Sequence, residues 1–593
     1  MHYVLNILVQ LTFFTIFSLS IIGCGTFIKK KLFNFDFNLG EIGILGFFFI
    51  YFFSVFLNFF IPINIYLSLT VLFFGLIIFF NNYKIYFIFK NYFFVLIFAL
   101  SFVISITTNL HDDHLLYQLP YIEYKQQFKI IFGLINLNDF LAYQHGLYDV
   151  MSFFKLPFYE NRLVFLIPII FFMFCIFAIV DYFNKKENIT SNLIFFIIFI
   201  ILYKFTRSKE FGTDVPVIGL LFLIQIYSLK YFFTKEKKYY YKMLLMFFLA
   251  VIYKIYALLA VFYFLIFRKK VIHYTYELFT KKKIILVFLL VLTSVTFLKN
   301  IIQSGCFSYP VTVTCVDKKI LSWSAGKNIS SWRNEFLKAG VKGWMPYVRD
   351  NQFEIQIFPK EYNDKFKYNF HKNVVKDPDI ERILIAFLIL LLIISIDYFN
   401  KFKFRNMKKH PEIKVLLLCA SIPFILWVLI MPYVRYGGYA YFPFGLLILY
   451  SYFNYKSYYS SKKIKLILII GIVFFVMKNF TRISDEVSSI VNEVNLKSYP
   501  IPLLNHPAAI EKRLNNNKKI FISENNWLCS LSKLPCLPGF FENMKIQIDD
   551  KYGYNFISVN DEEFLKFLNY KLKVYNLKKD RYADDENKEI RLK

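Results

Sequence analysis

The sequence is poor in acidic residues and in charge as a whole. Among its 593 residues, 41 are Asp or Glu and 70 are Lys or Arg, so the net charge is +29 although only 19% of the chain is charged. No RNA- or DNA-binding motif accompanies this basic excess, so nucleic acid is not an expected partner. The basic residues gather in short segments between apolar runs, as in the cytoplasmic loops of membrane proteins.

The chain has too few polar residues for a soluble protein. Its composition is 57% hydrophobic with 76 Phe, and its mean hydropathy is +0.46. Apolar runs of about 20 residues, long enough to cross a bilayer, recur as far as position 480. We therefore expect an all-α polytopic membrane protein with about 12–14 transmembrane helices in 1–480. A small mixed α/β domain is expected in 481–593, with a candidate helix near 505–515 and a strand at 519–523. The candidate spans are 3–25, 42–61, 63–81, 91–108, 162–183, 191–205, 213–233, 239–267, 284–299, 380–399, 413–431, 438–453 and 464–480.

Basic residues are missing before the first apolar segment and present directly after it, at 29–31. A cleaved signal peptide has the opposite charge order, so we expect a first span with its N-terminus outside. The positive-inside rule then places the acidic loop 109–161, the loop 300–379 and the C-terminal domain on the external face. This topology requires that 239–267 form a helical hairpin that turns near Lys254.

Cysteine is also scarce, with seven in the chain. Four of them form two close pairs, Cys306 with Cys315 and Cys529 with Cys536, in segments predicted to be external. Disulfides persist in oxidising compartments, so we expect both pairs to be bonded and to close short loops. The other three, Cys24, Cys175 and Cys419, lie in predicted spans and are expected to be apolar filling.

An acidic cluster follows the predicted span 91–108: His111, Asp112, Asp113 and His114. Charged groups at a membrane surface are costly unless they are used, and neighbouring carboxylates raise each other's proton affinity, which suits one of them to accept a proton. Two alternatives are a divalent cation site and a solvated helix N-terminus. Further on, 122–131 and 140–154 have mixed polar and apolar faces, so they are expected to lie in the membrane interface.

Three short segments resemble a known superfamily: the acidic pair with Tyr117 and Pro120, the stretch 208–214, and the stretch 299–310. With about a dozen spans and an external C-terminal domain, they resemble the GT-C superfamily of membrane glycosyltransferases, and more closely a bacterial multi-pass group within it. The resemblance implies an integral protein of the bacterial inner membrane that serves cell-envelope polysaccharide or glycolipid assembly. It would transfer a sugar, with inversion, from a polyprenyl-phosphate-linked donor to a glycan, lipid or protein acceptor on the non-cytoplasmic face.

The resemblance also implies a catalytic base, which is Asp113 or Asp112; the spacing to Tyr117 in the relatives favours Asp113. Because the leaving group is a lipid phosphate, cations are expected near the base, and Arg435 is the preferred phosphate contact. Each of the expected cations, namely Arg207, Lys209, Lys299 and Arg435, has an alternative role at the membrane surface. Lys209 is also an alternative partner for Glu210 and Asp214. No cofactor is firmly implied, although a divalent metal ion is an alternative. The expected substrate-binding residues are His111, His114, Tyr117, Arg207, Lys209, Glu210, Lys299 and Arg435.

A transporter or flippase of a lipid-linked sugar is the rival function. Such a protein would also have many spans, buried charge and interfacial helices. Transporters often consist of two related halves, and this sequence shows no internal repeat. We therefore favour the glycosyltransferase.

Overall fold

The described part of the chain is helical, with five short strands near its C-terminus. The computed structural model describes residues 2–84, 92–106, 113–143, 146–157, 163–183, 193–194, 197–198, 200–202, 214–267, 270–280, 283–341, 411–430, 437–441, 444–445, 461–492, 509–513, 519–523, 534–538, 546–551 and 554–559. The helices are α1 (His2–Leu32), α2 (Leu39–Asn58), α3 (Ile65–Asn82), α4 (Tyr92–Ser105), α5 (Leu119–Gln127), α6 (Gly146–Met151), α7 (Leu166–Asp181), α8 (Asp214–Thr234), α9 (Lys238–Tyr253), α10 (Val271–Thr280), α11 (Lys283–Ser304), α12 (Gly326–Val341), α13 (Pro411–Ile430) and α14 (Ser461–Asn492). The strands are β1 (Ala509–Arg513), β2 (Lys519–Ser523), β3 (Cys536–Pro538), β4 (Ile546–Lys551) and β5 (Tyr554–Val559).

Several helices are long and apolar enough to cross a membrane. Six meet both criteria within the described residues, and three shorter apolar helices accompany them. The prediction of a multi-pass helical membrane protein is confirmed to this extent. The predicted spans 191–205, 380–399 and 438–453 lie wholly or largely outside the described residues. The six are Val4–Leu32, Leu39–Asn58, Ile65–Asn82, Leu163–Asp181, Asp214–Thr234 and Lys283–Ser304.

Glycines allow the first three helices to pack closely. A Cβ atom added to Gly23 of α1 would overlap the carbonyl oxygen of Gly75 in α3, and one added to Gly46 of α2 would overlap the carbonyl oxygen of Ile21 in α1. Small residues at such contacts let membrane helices approach each other. The Ser20 hydroxyl adds a hydrogen bond of 3.0 Å to the carbonyl of Leu72.

The predicted turn near Lys254 is confirmed. Helix α9 ends at Tyr253, Lys254 has extended backbone angles, and a 3₁₀ helix then covers Ile255–Phe267. The second arm runs back along the first, because the ring centroids of Tyr240 and Phe267 lie 5.0 Å apart and those of Phe247 and Phe264 lie 5.5 Å apart. Non-helical backbone at membrane depth requires cover by protein or a wet cavity, and α8 packs against both arms.

The three segments predicted to be external meet at one end of the helices. The ring of Phe132, from the acidic loop, stacks on Phe556 of β5 with centroids 4.2 Å apart. Trp323, from the 300–379 loop, lies edge-on to both rings, at 5.2 Å and 5.5 Å. The Phe132 amide also donates a hydrogen bond of 2.9 Å to the Asn555 carbonyl. These segments therefore lie on the same side of the helix bundle.

The structure contains the predicted disulfide between Cys306 and Cys315. Cys536 is also disulfide-bonded, while its predicted partner, Cys529, lies outside the described residues. The three cysteines in predicted spans are buried and form no disulfide, namely Cys24, Cys175 and Cys419.

Two expectations about local structure were wrong. The candidate helix near 505–515 contains strand β1, which pairs antiparallel with the predicted strand β2, with Ile510 opposite Ile522; cross-strand pairing of apolar residues outweighs local helix preference here. The predicted interfacial segments form α5 and α6, but both are buried inside the protein. Their polar residues Lys125 and Asp149 pair with each other instead of facing lipid headgroups.

Labelling of introduced cysteines tests which membrane face carries these segments. Asn328 is exposed on α12 and Lys31 is exposed at the end of α1. We expect Asn328→Cys to react with a membrane-impermeant maleimide in intact cells, and Lys31→Cys to react only after permeabilisation. Cys24, Cys175 and Cys419 are buried, so they add little background. The reverse pattern would invert the topology.

Candidate functional site

The candidate base Asp113 lies eight residues after the end of the apolar helix α4. It precedes a π-helical turn, His114–Gln118, of a kind that occurs often at functional sites. This turn brings Tyr117 back over Asp113, and the tyrosine hydroxyl donates a long hydrogen bond of 3.5 Å to Asp113 Oδ2. Asp113 is half-buried. Its neighbours Asp112 and His111 lie outside the described residues.

A second carboxylate and a cation are linked to Asp113 through the buried Tyr148. Tyr148 of α6 is buried, and its ring centroid lies 6.4 Å from that of Tyr117. Burial raises the pKa of Tyr148 well above its usual value, and the neighbouring Tyr117, Asp214 and Asp113 raise it further. Both carboxylates therefore act on one tyrosine hydroxyl. Asp214, at the start of α8, forms an ion pair of 3.3 Å with Lys254 at the hairpin turn.

These contacts bring together residues from four separate parts of the chain. We call Asp113, Tyr117, Tyr148, Asp214 and Lys254 the acidic site. The partner expected for Asp214 from the sequence was Lys209, which lies outside the described residues. Lys254 was expected only at a turn. A lysine within an otherwise apolar run is itself a signal of function in a membrane protein, and this signal identifies Lys254.

An aromatic stack connects the acidic site to helix α12. The ring of Tyr117 lies on Phe140, with centroids 5.2 Å apart and planes 12° apart. The guanidinium of Arg333, from α12, lies 4.1 Å from the Phe140 ring centroid and forms a buried ion pair with Asp139. Arg333 thus holds the ring that supports Tyr117.

Replacing this arginine tests the stack. Arg333→Lys keeps the charge beside Asp139 but loses the planar group that lies on Phe140, so we expect the free energy of unfolding to fall by about 1–2 kcal/mol. Denaturant unfolding in mixed micelles measures the change, and Lys319→Arg, at an exposed position, is the control. Equal stability of Arg333→Lys and the unmodified protein would show that the stacking contributes nothing.

A buried charged triad lies beside the acidic site. Asp149 is fully buried and accepts from Lys125 Nζ at 2.7 Å and from Lys299 Nζ at 2.6 Å. The Tyr121 hydroxyl donates to the same carboxylate at 2.9 Å. Burial alone would raise the pKa of Asp149, but the two lysines outweigh it and hold that pKa below its usual value. Burial lowers the pKa of Lys125 to about 8, against the opposing effect of Asp149.

The triad changes the interpretation of Lys299. Lys299 is one of the substrate-binding residues predicted from the sequence, whereas the structure buries it against Asp149. Asp149 belongs to no recognisable motif, so the sequence does not identify it as a site residue. Because Asp149 and Tyr148 are adjacent in α6, the triad fixes the helix that carries Tyr148 into the acidic site.

Of the remaining predicted substrate-binding residues, His114 lies within the described ranges. His114 is buried, and burial lowers its pKa to about 3, so it is neutral at physiological pH. Within the described ranges, no group of three or more His, Cys, Asp or Glu side chains is placed to hold a metal ion. The predicted substrate contacts Arg207, Lys209, Glu210 and Arg435 lie outside those ranges.

The helices and the buried charges define a multi-pass helical membrane protein. The chain belongs to the family described as Domain of unknown function (DUF8201), whose profile matches residues 6–442. That region includes every residue of the acidic site and the triad, and it ends before the C-terminal strands. No curated protein and no solved structure matches the chain.

Proposed function

We propose that the protein is a glycosyltransferase of the GT-C type. It would move a sugar from a polyprenyl-phosphate-linked donor to a glycan, lipid or protein acceptor on the external face of the bacterial inner membrane. The observation that carries this proposal is the acidic site, in which the half-buried Asp113 and a second carboxylate, paired with a lysine, both act on the buried Tyr148. A general base and a cation are what sugar transfer from a lipid phosphate requires.

Asp113 acts as the base in this proposal. The oxygen of the acceptor hydroxyl forms a bond to the anomeric carbon of the donor sugar, and its proton passes to the Asp113 carboxylate. The bond between the anomeric carbon and the phosphate oxygen breaks, and its electron pair leaves with the polyprenyl phosphate. A single displacement of this kind inverts the anomeric configuration. Asp112 is the alternative base.

Lys254 stabilises the negative charge that develops on the leaving phosphate. Its ion pair with Asp214 holds the ammonium group at the hairpin turn, and Asp214 and Asp113 both act on Tyr148. Arg207, Lys209 and Arg435 remain proposed phosphate contacts. Lys299 is not included, because Asp149 already binds its ammonium group.

The function is tested by transfer in reconstituted nanodiscs. The donors are polyprenyl phosphates that carry radiolabelled glucose, galactose or mannose, and the acceptors are cell-envelope glycan and lipid fractions. We expect label to enter an acceptor fraction and free polyprenyl phosphate to appear in equal amount. The same assay with and without a chelator shows whether a divalent metal ion contributes.

Two variants of Lys254 test whether its charge contributes to transfer. Lys254→Met should reduce transfer strongly because the leaving phosphate loses its cation, whereas Lys254→Arg should retain part of the activity. Lys237→Met is the matched control, because Lys237 is 59% exposed and pairs with Glu277 away from the acidic site. Donor that crosses a liposome membrane with its sugar still attached, without transfer, would favour the flippase instead.

A further inference from the structure

The loop that follows α11 has an unusual surface for a disulfide-closed loop. We call residues 306–315, closed by the Cys306–Cys315 disulfide, the stapled loop. Val313 at its tip is 91% exposed, Phe307 is 47% exposed, and Ile320 just beyond it is 75% exposed. Exposed apolar side chains gathered in one place usually mark a contact surface.

The stapled loop folds back along a membrane helix. The ring of Phe307 lies 6.0 Å, centroid to centroid, from the ring of Phe297 in α11. Phe297 lies about 10 Å before the end of that helix, at a rise of about 1.5 Å per residue. Phe297 is itself 41% exposed, so Phe307 extends the outward-facing apolar side of the helix. The exposed apolar residues on this side of α11 are Ile284, Val287, Leu290, Val291, Phe297 and Leu298.

The backbone of the stapled loop is largely paired within the loop. The amide of Phe307 donates to the Thr314 carbonyl at 3.0 Å, and the amides of Val311 and Thr314 donate to carbonyls within the loop at 2.8 and 2.9 Å. The Ser308 amide donates to the Thr314 hydroxyl at 3.2 Å. Backbone groups that enter a bilayer must find partners inside the protein. The stapled loop therefore meets a requirement that an ordinary polar loop does not.

Basic residues follow the apolar tip. Lys319 is exposed beside Ile320, and Lys318 is partly exposed. Lysines at the edge of an apolar surface are placed to reach lipid phosphate groups, and an anionic membrane attracts them.

We propose that the stapled loop dips into the bilayer leaflet next to α11. Phe307 and Val313 enter the boundary between headgroups and acyl chains, and Lys318 and Lys319 contact anionic headgroups. The occupant of this surface is lipid of the surrounding membrane, because the apolar surface is continuous with the exposed side of a membrane helix. The disulfide holds the tip in shape for insertion. This proposal does not depend on the proposed enzyme activity.

Tryptophan fluorescence in nanodiscs tests the proposal with the full chain. Val313→Trp is compared with Asn328→Trp, an exposed position on α12, in lipids with and without brominated acyl chains. We expect the emission added by Val313→Trp to be blue-shifted and quenched by brominated lipid, and that added by Asn328→Trp to be red-shifted and unquenched. Ile320→Trp provides a second position and should also be quenched.

Two outcomes would overturn the proposal. The first is equal emission of Val313→Trp in brominated and unbrominated lipid. The second is a blue shift without quenching that appears only in discs holding two copies, which would make the loop a contact between copies. The lysines are tested by Lys318→Gln combined with Lys319→Gln, which should reduce the quenching of Val313→Trp in phosphatidylglycerol discs but not in phosphatidylcholine discs.

Discussion

Asp113→Asn is expected to lower the rate of sugar transfer by about 10²–10⁴-fold, the usual loss when a general base is removed. The amide keeps the size of the side chain and can still accept the hydrogen bond from Tyr117, but it cannot take the proton of the acceptor hydroxyl. Expression and membrane insertion should hardly change. The measurement is single-turnover transfer from labelled polyprenyl-phosphate donor in membranes that contain equal amounts of each variant.

Asp550→Asn is the control for this experiment, because Asp550 is an exposed aspartate at the end of β4, outside the acidic site. Asp112→Asn tests the alternative base, and the larger loss identifies which of the two accepts the proton. Full activity of Asp113→Asn and Asp112→Asn, made singly and together, would contradict the assignment and favour the transporter.

Asp149→Asn is expected to lower the free energy of unfolding by about 3–5 kcal/mol, because it leaves buried lysine charge without a counter-ion. The amide fits the same space, so the effect reports charge and not volume. Denaturant unfolding in mixed micelles measures it. Asp550→Asn should change stability by less than about 0.5 kcal/mol, as surface substitutions usually do.

A second substitution separates lost pairing from a general packing defect. In the combination of Asp149→Asn with Lys299→Met, one of the two unpaired ammonium groups is removed, so part of the stability should return. If the stability lost in the double variant equals the sum of the losses in Asp149→Asn and Lys299→Met alone, Asp149 and Lys299 do not act as a pair.

Features set by local composition could be predicted from the sequence. The long apolar runs predict the membrane helices, and the topology derived from the basic residues predicts the helical hairpin at Lys254. The spacing of Cys306 and Cys315 gave a loop disulfide. The acidic residues after 91–108 led to Asp113 and Tyr117, which the structure brings into contact.

Features set by contacts between distant segments could not be predicted. Asp149 meets Lys299, 150 residues away in sequence, and no local pattern encodes that pairing. For the same reason α5 and α6 have polar faces typical of interfacial helices, yet those faces are satisfied inside the protein. The segment 509–513 forms a strand because β2 pairs with it, and the local sequence of 509–513 does not encode that pairing.

The contact between Phe132 and Phe556 joins the acidic loop to the C-terminal strands. The family profile ends at residue 442, so the aromatic partner of Phe132 lies outside the matched region. The acidic loop and the strand that supports it therefore lie on opposite sides of that boundary. Removal of the C-terminal strands would withdraw this support and leave the sequence of every membrane helix before residue 442 unchanged.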